Sequence, residues 1–327
     1  SNTVTVTVSD GAGGGADVVS DPMTVEDGTW NTAGLDLSGL ADGPLTITAD
    51  LLDEAGNTAF NQITTIELDT TRTVAIDTTT GEIAGGFVNE AEHASVTISG
   101  TVNDDNNDNT VTVTIADNDG TTADVVDSVT VEDGTWSIAG LDLSGLADDT
   151  LSITADLLDE AGNTSSAEIT TIELDTTYMV AIDVTAGSID DGFVNDAEDG
   201  GATISGTVHN DNNSNTVTVT VSDGAGGGAD VVSTAVTVTD GTWTTITNNP
   251  SGLDLSGLSD GTLTITAALV DEAGNEAEHE VTTIELDTTR TVAIDTGAGA
   301  ITDGFVNDVE DGSVTISGTV NNDSNSN

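Results

Sequence analysis

The chain is periodic, and its period is the size of a domain. Asp-Glu-Ala-Gly-Asn begins at residues 53, 159 and 271, intervals of 106 and 112. Other markers keep step. Asp-Gly-Thr-Trp ends at Trp30, Trp136 and Trp243, Gly-Phe-Val-Asn at Asn89, Asn195 and Asn307, and Ile-Glu-Leu-Asp-Thr-Thr at Thr71, Thr177 and Thr289. Matching punctuation at a fixed spacing defines an array of like units. A unit of about 100 residues is long enough to bury a core of its own.

Within one unit the pattern is that of short strands. Thr73–Asp77, Ser95–Val102, Thr110–Ile115, Ala123–Glu132, Thr135–Ile138, Leu151–Leu158 and Ala167–Leu174 alternate apolar and polar residues, with Asn, Asp and Gly turns between them. Val, Ile and Thr suit a half-buried pleated surface, and no long helical period competes. About seven short strands per ~100 residues predict an all-β fold of tandem immunoglobulin-like β-sandwich repeats arranged end to end. Gly140–Asp149, repeated at Gly34–Gly43 and Gly252–Gly261, spaces its leucines for a crossover tucked under a sheet edge. The third unit carries five extra residues around Thr245–Pro250, placed on a surface loop. Boundaries fall at the Leu-Asp-Thr-Thr segments. Residues 70–175 and 176–287 are then complete repeats, 1–69 a truncated repeat, and 288–327 the first strands of a further one. The chain opens at Ser1-Asn2 and closes at Ser326-Asn327, the same place in the repeat as Ser214-Asn215, as a stretch of a longer array would.

Charge narrows the partners. The net charge is −57, with 59 acidic residues against Arg72 and Arg290 alone. Phosphate binding needs cationic side chains, so nucleic acid is excluded, and an anionic membrane surface would repel the chain. No apolar run approaches the ~18 residues of a membrane helix. Self-repulsion at this density opposes compaction, and salt screens it only in part, with a Debye length of about 10 Å. A bound cation is the simplest source of the missing positive charge. Cysteine is absent, so neither disulfides nor thiolates stabilise the units.

Calcium takes six to eight oxygens at about 2.3–2.6 Å from carboxylates, amides and carbonyls. Each junction is expected to gather such oxygens from three segments: the turn before a unit's last strand, the linker after that strand, and the Phe-Val-Asn-x-x-Glu loop of the next unit. These are Asp53, Asn57, Asp69, Asn89 and Glu92 at the first junction. Asp159, Asn163, Asp175, Asn195 and Glu198 form the second set, and Asp271, Asn275, Asp287, Asn307 and Glu310 the third.

Other motifs read as scaffold. The Asn/Asp stretches 104–109, 210–215 and 321–327, and Asp117 to Gly120, are turns that never complete a calcium-loop pattern. Gly11–Val19 and Gly224–Val232 are single glycine-rich hairpin loops. The threonine rows at Thr3–Thr7, Thr110–Thr114 and Thr216–Thr220 are ordinary alternation, and Trp30, Trp136 and Trp243 are core tryptophans. His93, His209 and His279 occupy different repeat positions, and no nucleophile elbow is present, so no enzyme activity is expected.

Ile-Glu-Leu-Asp-Thr-Thr followed by Val-Ala-Ile-Asp, Gly-Phe-Val-Asn-Asp-Ala-Glu, Val-Thr-Ile-Ser-Gly-Thr-Val and Leu-Leu-Asp-Glu-Ala-Gly-Asn resemble the bacterial Ig-like repeats of giant type I-secreted adhesins, the Bap-like and RTX adhesins. The resemblance covers the whole chain. It implies an extracellular, cell-surface extender, stiffened by calcium, that projects a distal binding domain for attachment and biofilm formation. The family's proline after Asp-Thr-Thr is replaced here by Arg72, Tyr178 and Arg290. Two other readings use the same features: repeats that themselves bind sugar, ice or partner cells, and an acidic surface-layer protein. The expected partners are neighbouring repeats of the same chain. Residues 288–327 of one copy are also expected to complete 1–69 of the next, head to tail.

Overall fold

The computed structural model describes residues 1–11, 16–103, 109–118, 120–209, 215–224, 229–297 and 299–321. The expected Asn/Asp loops at 104–108, 210–214 and 322–327, and the glycine-rich tips at 12–15 and 225–228, lie outside the described residues. The chain forms two compact units, one of residues 1–86 and 94–173, the other of residues 87–93 and 174–327.

The first unit begins with β1 (Thr3–Ser9), β2 (Val18–Val19), β3 (Met23–Thr24), β4 (Gly43–Leu52) and β5 (Thr58–Leu68). They form one sheet in the order β2-β1-β4-β5, with β3 also on β1. The chain continues through β6 (Val74–Ile76), β7 (Phe87–Asn89), which belongs to the second unit, β8 (Val96–Val102) and β9 (Thr110–Ala116). Then come β10 (Val125–Thr130), β11 (Thr135–Leu141), β12 (Asp149–Leu158) and β13 (Thr164–Asp175). Here there are two sheets: β10, β9, β12 and β13 hydrogen-bond in that order, and β11-β8-β6 form the other. Alternation sets the inner faces. In β9, Val111, Val113 and Ile115 are fully buried while the intervening threonines face outward.

The second unit contains β14 (Met179–Ile182), β15 (Phe193–Asn195), β16 (Ser205–His209), β17 (Thr216–Ser222), β18 (Val231–Val232), β19 (Val236–Thr237), β20 (Thr242–Thr244), β21 (Gly261–Val270) and β22 (Glu276–Asp287). One sheet is β14-β16-β20. The other runs β15-β22-β21-β17-β18, with β19 beside β17. Val180, Ile182 and Ile204 from the first side share one core with Val219, Ile265 and Ile284 from the second. The first, third and seventh strands of the unit on one sheet, and the last pair with the fourth on the other, is an immunoglobulin-like distribution. The imidazole Nδ1 of His279 on β22 accepts from the Ile182 amide at 2.9 Å and ties the two sheets together. The chain ends in β23 (Thr291–Ile294) and β24 (Gly318–Asn321), paired antiparallel.

The seven expected strands of 70–175 are all present. Phe-Val-Asn, a loop by its sequence pattern, is a short strand. In its copy β15 it lies parallel to the last strand, Asn195 in register with Asp287. Asp-Gly makes the turns expected of it. Asp27, Asp133 and Asp240 have φ of 49°, each followed by a positive-φ glycine, as a type I′ hairpin requires. The crossover leucines are buried, Leu143 at 1% and Leu255 at 0%. The extra segment of the third repeat lies at the surface except Thr245, whose hydroxyl accepts from the Ile204 amide. Trp136 and Trp243 are core residues, but Trp30 is 43% exposed. Among the described residues, 1–69 form a single sheet, and no second sheet packs on it within that stretch. No helix among the described residues is long and apolar enough to cross a membrane.

Candidate functional site

The Asp-Glu-Ala-Gly-Asn turn closes on itself. Asp271 accepts from the Asn275 backbone amide at 2.7 Å with one carboxylate oxygen and from its side-chain amide at 2.9 Å with the other. Asp159 and Asn163 repeat this at 2.6 and 2.8 Å, and Asp53 and Asn57 at 2.7 and 2.8 Å. Asp53 is held below the usual carboxylate range by the Asn57 side-chain hydrogen bond first and the backbone amide second. Asp159, Asp271 and Asn275 are buried, at 5, 8 and 5% exposure.

In the two later copies the turn grips a linker. Asn163 Nδ2 also donates to the Asp69 carbonyl at 3.1 Å, and Asn275 Nδ2 to the Asp175 carbonyl at 2.9 Å. This regroups the sequence-predicted sets. Asp69 was expected to meet Asn57, but its carbonyl is held by Asn163. Strand length is the reason. β13 and β22 are each 12 residues, roughly 40 Å when extended, so a turn and the linker that follows its strand stand at opposite poles. Each turn therefore reaches the linker that precedes its own repeat.

The Phe-Val-Asn-x-x-Glu loop meets the same turn. In the second unit Asn89 Nδ2 donates to the Ala273 carbonyl at 3.0 Å, and the Glu90 amide to Asn275 Oδ1 at 3.0 Å. Glu92 accepts from the Asn89 amide at 3.2 Å, and Glu198 and Glu310 accept likewise from Asn195 and Asn307 at 3.1 Å. One assembled cluster thus draws on Asn89, Glu92, Asp175, Asp271 and Asn275. Another draws on Asp69, Asp159 and Asn163. Asn195, Glu198 and Asp287 share the pole where β15 meets the end of β22. Asn307 is exposed and Glu310 half-buried.

Two groups escaped the sequence reading. Asn109 and Asn215, 0 and 2% exposed, brace the turns from behind, accepting from the Glu160 and Glu272 amides at 3.2 and 3.1 Å. Their signal was the Asn that precedes each Thr-Val-Thr-Val strand, at Asn2, Asn109 and Asn215. Asp42 and Asp260 hold the trailing linkers. Asp42 accepts from the Thr70 hydroxyl at 2.7 Å and the Thr71 amide at 2.9 Å. Asp260 accepts from the Thr288 amide at 3.0 Å, its hydroxyl at 2.8 Å and the Thr289 amide at 3.1 Å. Their signal was an Asp at fixed step before each Gly261-type strand start. Arg72 donates to the Thr164 and Thr70 carbonyls at 2.9 and 2.8 Å and fastens the same junction. Arg290 makes an exposed 3.7 Å pair with Asp196, which contributes little.

A cavity of about 310 Å³ opens at the first junction, lined by Asp42, Glu67, Asp69, Asn103 and Glu160. Among the described residues no three carboxylate or imidazole groups converge closely enough to hold a metal by themselves. Oxygens at both clusters come as much from carbonyls and amides as from carboxylates.

No family model matches the chain, and no curated protein matches it. It is similar to solved parts of large bacterial adhesins. A tetra-tandem repeat from the extending region of a large adhesion protein matches at 28% identity, over 98% of this chain and 74% of its own, with a TM-score of 0.36. A 1.5-MDa bacterial ice-binding adhesin matches at 23% identity, over 88 and 87%, with a TM-score of 0.38. A Ca2+-stabilized adhesin of an ice-binding Antarctic bacterium matches at 24%, over 90 and 69%, with a TM-score of 0.37.

The hydrogen bonds from Thr71 and Thr70 lower the Asp42 pKa, and those from Thr288 chiefly lower that of Asp260. A depressed folded value means the linker contacts are at full strength above the unfolded value near 3.8 and are lost as pH falls through the lower folded one. Protection of the Thr71, Thr288 and Thr289 amides, relative to the intrinsic exchange rate at each pH, is therefore expected to hold from neutral pH down to the carboxylate range and to fall below it. Protection that declines well above that range would contradict the assignment.

Proposed function

We propose that the chain is a structural, non-catalytic extender of a large bacterial cell-surface adhesin, with junctions stiffened by calcium. The carrying observation is the turn that grips the preceding linker in consecutive repeats. A chain with this charge needs its junctions held against repulsion, and a grip on each linker transmits orientation from one sandwich to the next.

The residues suit calcium. At both clusters one amide nitrogen, Asn163 Nδ2 or Asn275 Nδ2, is held between a carboxylate oxygen and a linker carbonyl oxygen. A divalent cation drawn to those same oxygens would turn the amide by 180° and take its oxygen as a further ligand. Asp159, Asn163 and the Asp69 carbonyl would hold one ion. Asp271, Asn275, the Asp175 carbonyl and Asn89 would hold another. The bound charge would replace repulsion by attraction across the linker. Weak affinity of about 10⁻⁴–10⁻³ M, usual for extracellular modules, fits a chain that is stiff outside a cell and pliant within.

Calcium at about ten times its Kd adds roughly 1.4 kcal/mol per site. For a domain of ~100 residues that raises Tm by roughly 6–10 °C. Small-angle scattering and melting in EDTA and in millimolar calcium test this, with a longer maximum dimension and a higher Tm expected in calcium. Identical curves would refute the calcium reading, and Asp271→Ala should remove part of the response.

The same chain is proposed to associate head to tail. Val292, Ile294, Ile316 and Val320 are 80, 63, 62 and 65% exposed, although their counterparts Val180, Ile182, Ile204 and Val208 are core residues. Ile63 and Ile66 on β5 are 43 and 44% exposed, against 9 and 2% for Val281 and Ile284. One end carries the strands whose cover the other end lacks, so β23–β24 of one copy fits the open face of 1–69 in the next. Light scattering is expected to show concentration-dependent oligomers. A strict monomer at ~100 μM, where exposed edges associate, would overturn the pairing.

A further inference from the structure

The tryptophan of each complete repeat sits beside a cleft, and the two clefts are copies of one another. In the first unit a cleft of about 790 Å³ is lined by Asp77, Ser99, Thr101, Thr130 and Trp136. In the second a cleft of about 330 Å³ is lined by Asp183, Ser205, Thr207, Thr237 and Trp243. Every residue of the second set stands at the repeat position of its counterpart in the first. The clefts lie where the sheet containing β8 and β11 meets β10, and where the sheet containing β16 and β20 meets β19.

Sequence alone places these tryptophans in the core, and they are 3 and 2% exposed. Core packing explains the rings. Each lies over a glycine of the neighbouring strand, Gly100 or Gly206, where an added Cβ would come 2.5 Å from the ring carbon Cζ2. It leaves the nitrogen unexplained. Trp136 Nε1 and Trp243 Nε1 are the buried side-chain polar atoms without a hydrogen-bond partner among the described residues. A buried donor left unpaired is costly, and buried indole N–H groups ordinarily find an acceptor. The same orphan at the same repeat position, beside the same hydroxyl-lined cleft, points to an acceptor that arrives from outside the chain.

We propose that each cleft binds a small neutral polyhydroxylated molecule of monosaccharide size, whose oxygen accepts from the indole N–H. Both volumes exceed the ~30 Å³ of a water molecule and reach the ~300–1,000 Å³ of small-molecule sites. Serine and threonine hydroxyls line the walls and can both donate and accept, the chemistry a polyol needs. Charge selects further. Asp77 is held below the usual carboxylate range by its hydrogen bonds to Thr79 and Thr80, and Asp183 by those to Thr185. Both stay ionised at neutral pH, Glu132 adds a further carboxylate to the larger cleft, and neither cleft has a lysine or arginine in its lining. Acidic sugars and phosphates are repelled. The larger cleft accepts the bulkier ligand, and Thr247, from the extra segment of the third repeat, lines the smaller one.

The full chain labelled with ¹⁵N at tryptophan tests this directly. Its indole signals come from Trp30, Trp136 and Trp243. Glucose, galactose, mannose and N-acetylglucosamine are titrated to roughly 100 mM, enough to saturate a millimolar site, with glucuronate as the anionic arm. The Trp136 and Trp243 signals are expected to shift and saturate with at least one neutral sugar, while Trp30 stays still and glucuronate has no effect. Thr101→Val and Thr207→Val remove exposed cleft hydroxyls without touching the core. Each should weaken the response of its own tryptophan at least threefold at unchanged Tm. Three outcomes would overturn the proposal: no shift with any neutral sugar, parallel unsaturated drift of all three signals, or binding of glucuronate as tight as that of glucose.

Discussion

The structure depends on how a chain of net charge −57 keeps its own segments together. Cationic side chains cannot do it, since there are two. Amide groups do. Asn163 and Asn275 each place one NH₂ between a carboxylate oxygen and a linker carbonyl, and Asp42 and Asp260 use carboxylates to accept linker amides and hydroxyls. Most such carboxylates are spent on local donors, which also explains why several are stabilised in their ionised form. The sandwiches need none of this. Their cores are built of Val, Ile, Leu and Ala side chains with one tryptophan each.

Because stability and junction geometry rest on different interactions, they can respond to the medium separately. Apolar burial within a sandwich is insensitive to divalent cations. At the linker clusters a carboxylate oxygen and a linker carbonyl oxygen share the Asn163 or Asn275 side-chain amide, and a cation competes for the same oxygens. An ion in that place would be felt first as a change in how freely one repeat moves on another.

The strands were legible in the sequence because alternation and Asp-Gly turns are local signals. Val111, Val113 and Ile115 announce an inner face within seven residues, and β9 forms over that stretch. The residues of the junction were legible too, as carboxylates and amides recurring near Leu-Asp-Thr-Thr. Their grouping was not. Asp53 and Asp69 are close in sequence, yet an 11-residue strand carries the chain along the length of the sheet between them. Asn89 and Asn275 are 186 positions apart and flank the same turn. Buried Asn109 and Asn215 were hidden because an Asn/Asp-rich stretch reads as a solvated loop, and only the repeat of Asn before Thr-Val-Thr-Val marks them. Trp30 shows the opposite failure. Its motif is that of a core residue, but the strands that would cover it are not in its own sheet.

The central claim, that calcium acts at the turn-linker clusters, is tested most directly by a distance measured across one linker. The chain has no cysteine, so nitroxides on Ser38→Cys and Ser144→Cys, at exposed crossover positions on either side of the first junction, report only that pair. Pulsed dipolar spectroscopy is expected to give a broad distance distribution in EDTA and a narrow one in millimolar calcium, with the narrowing abolished by Asp159→Ala. Equal widths in both conditions, or narrowing that survives Asp159→Ala, would contradict the account.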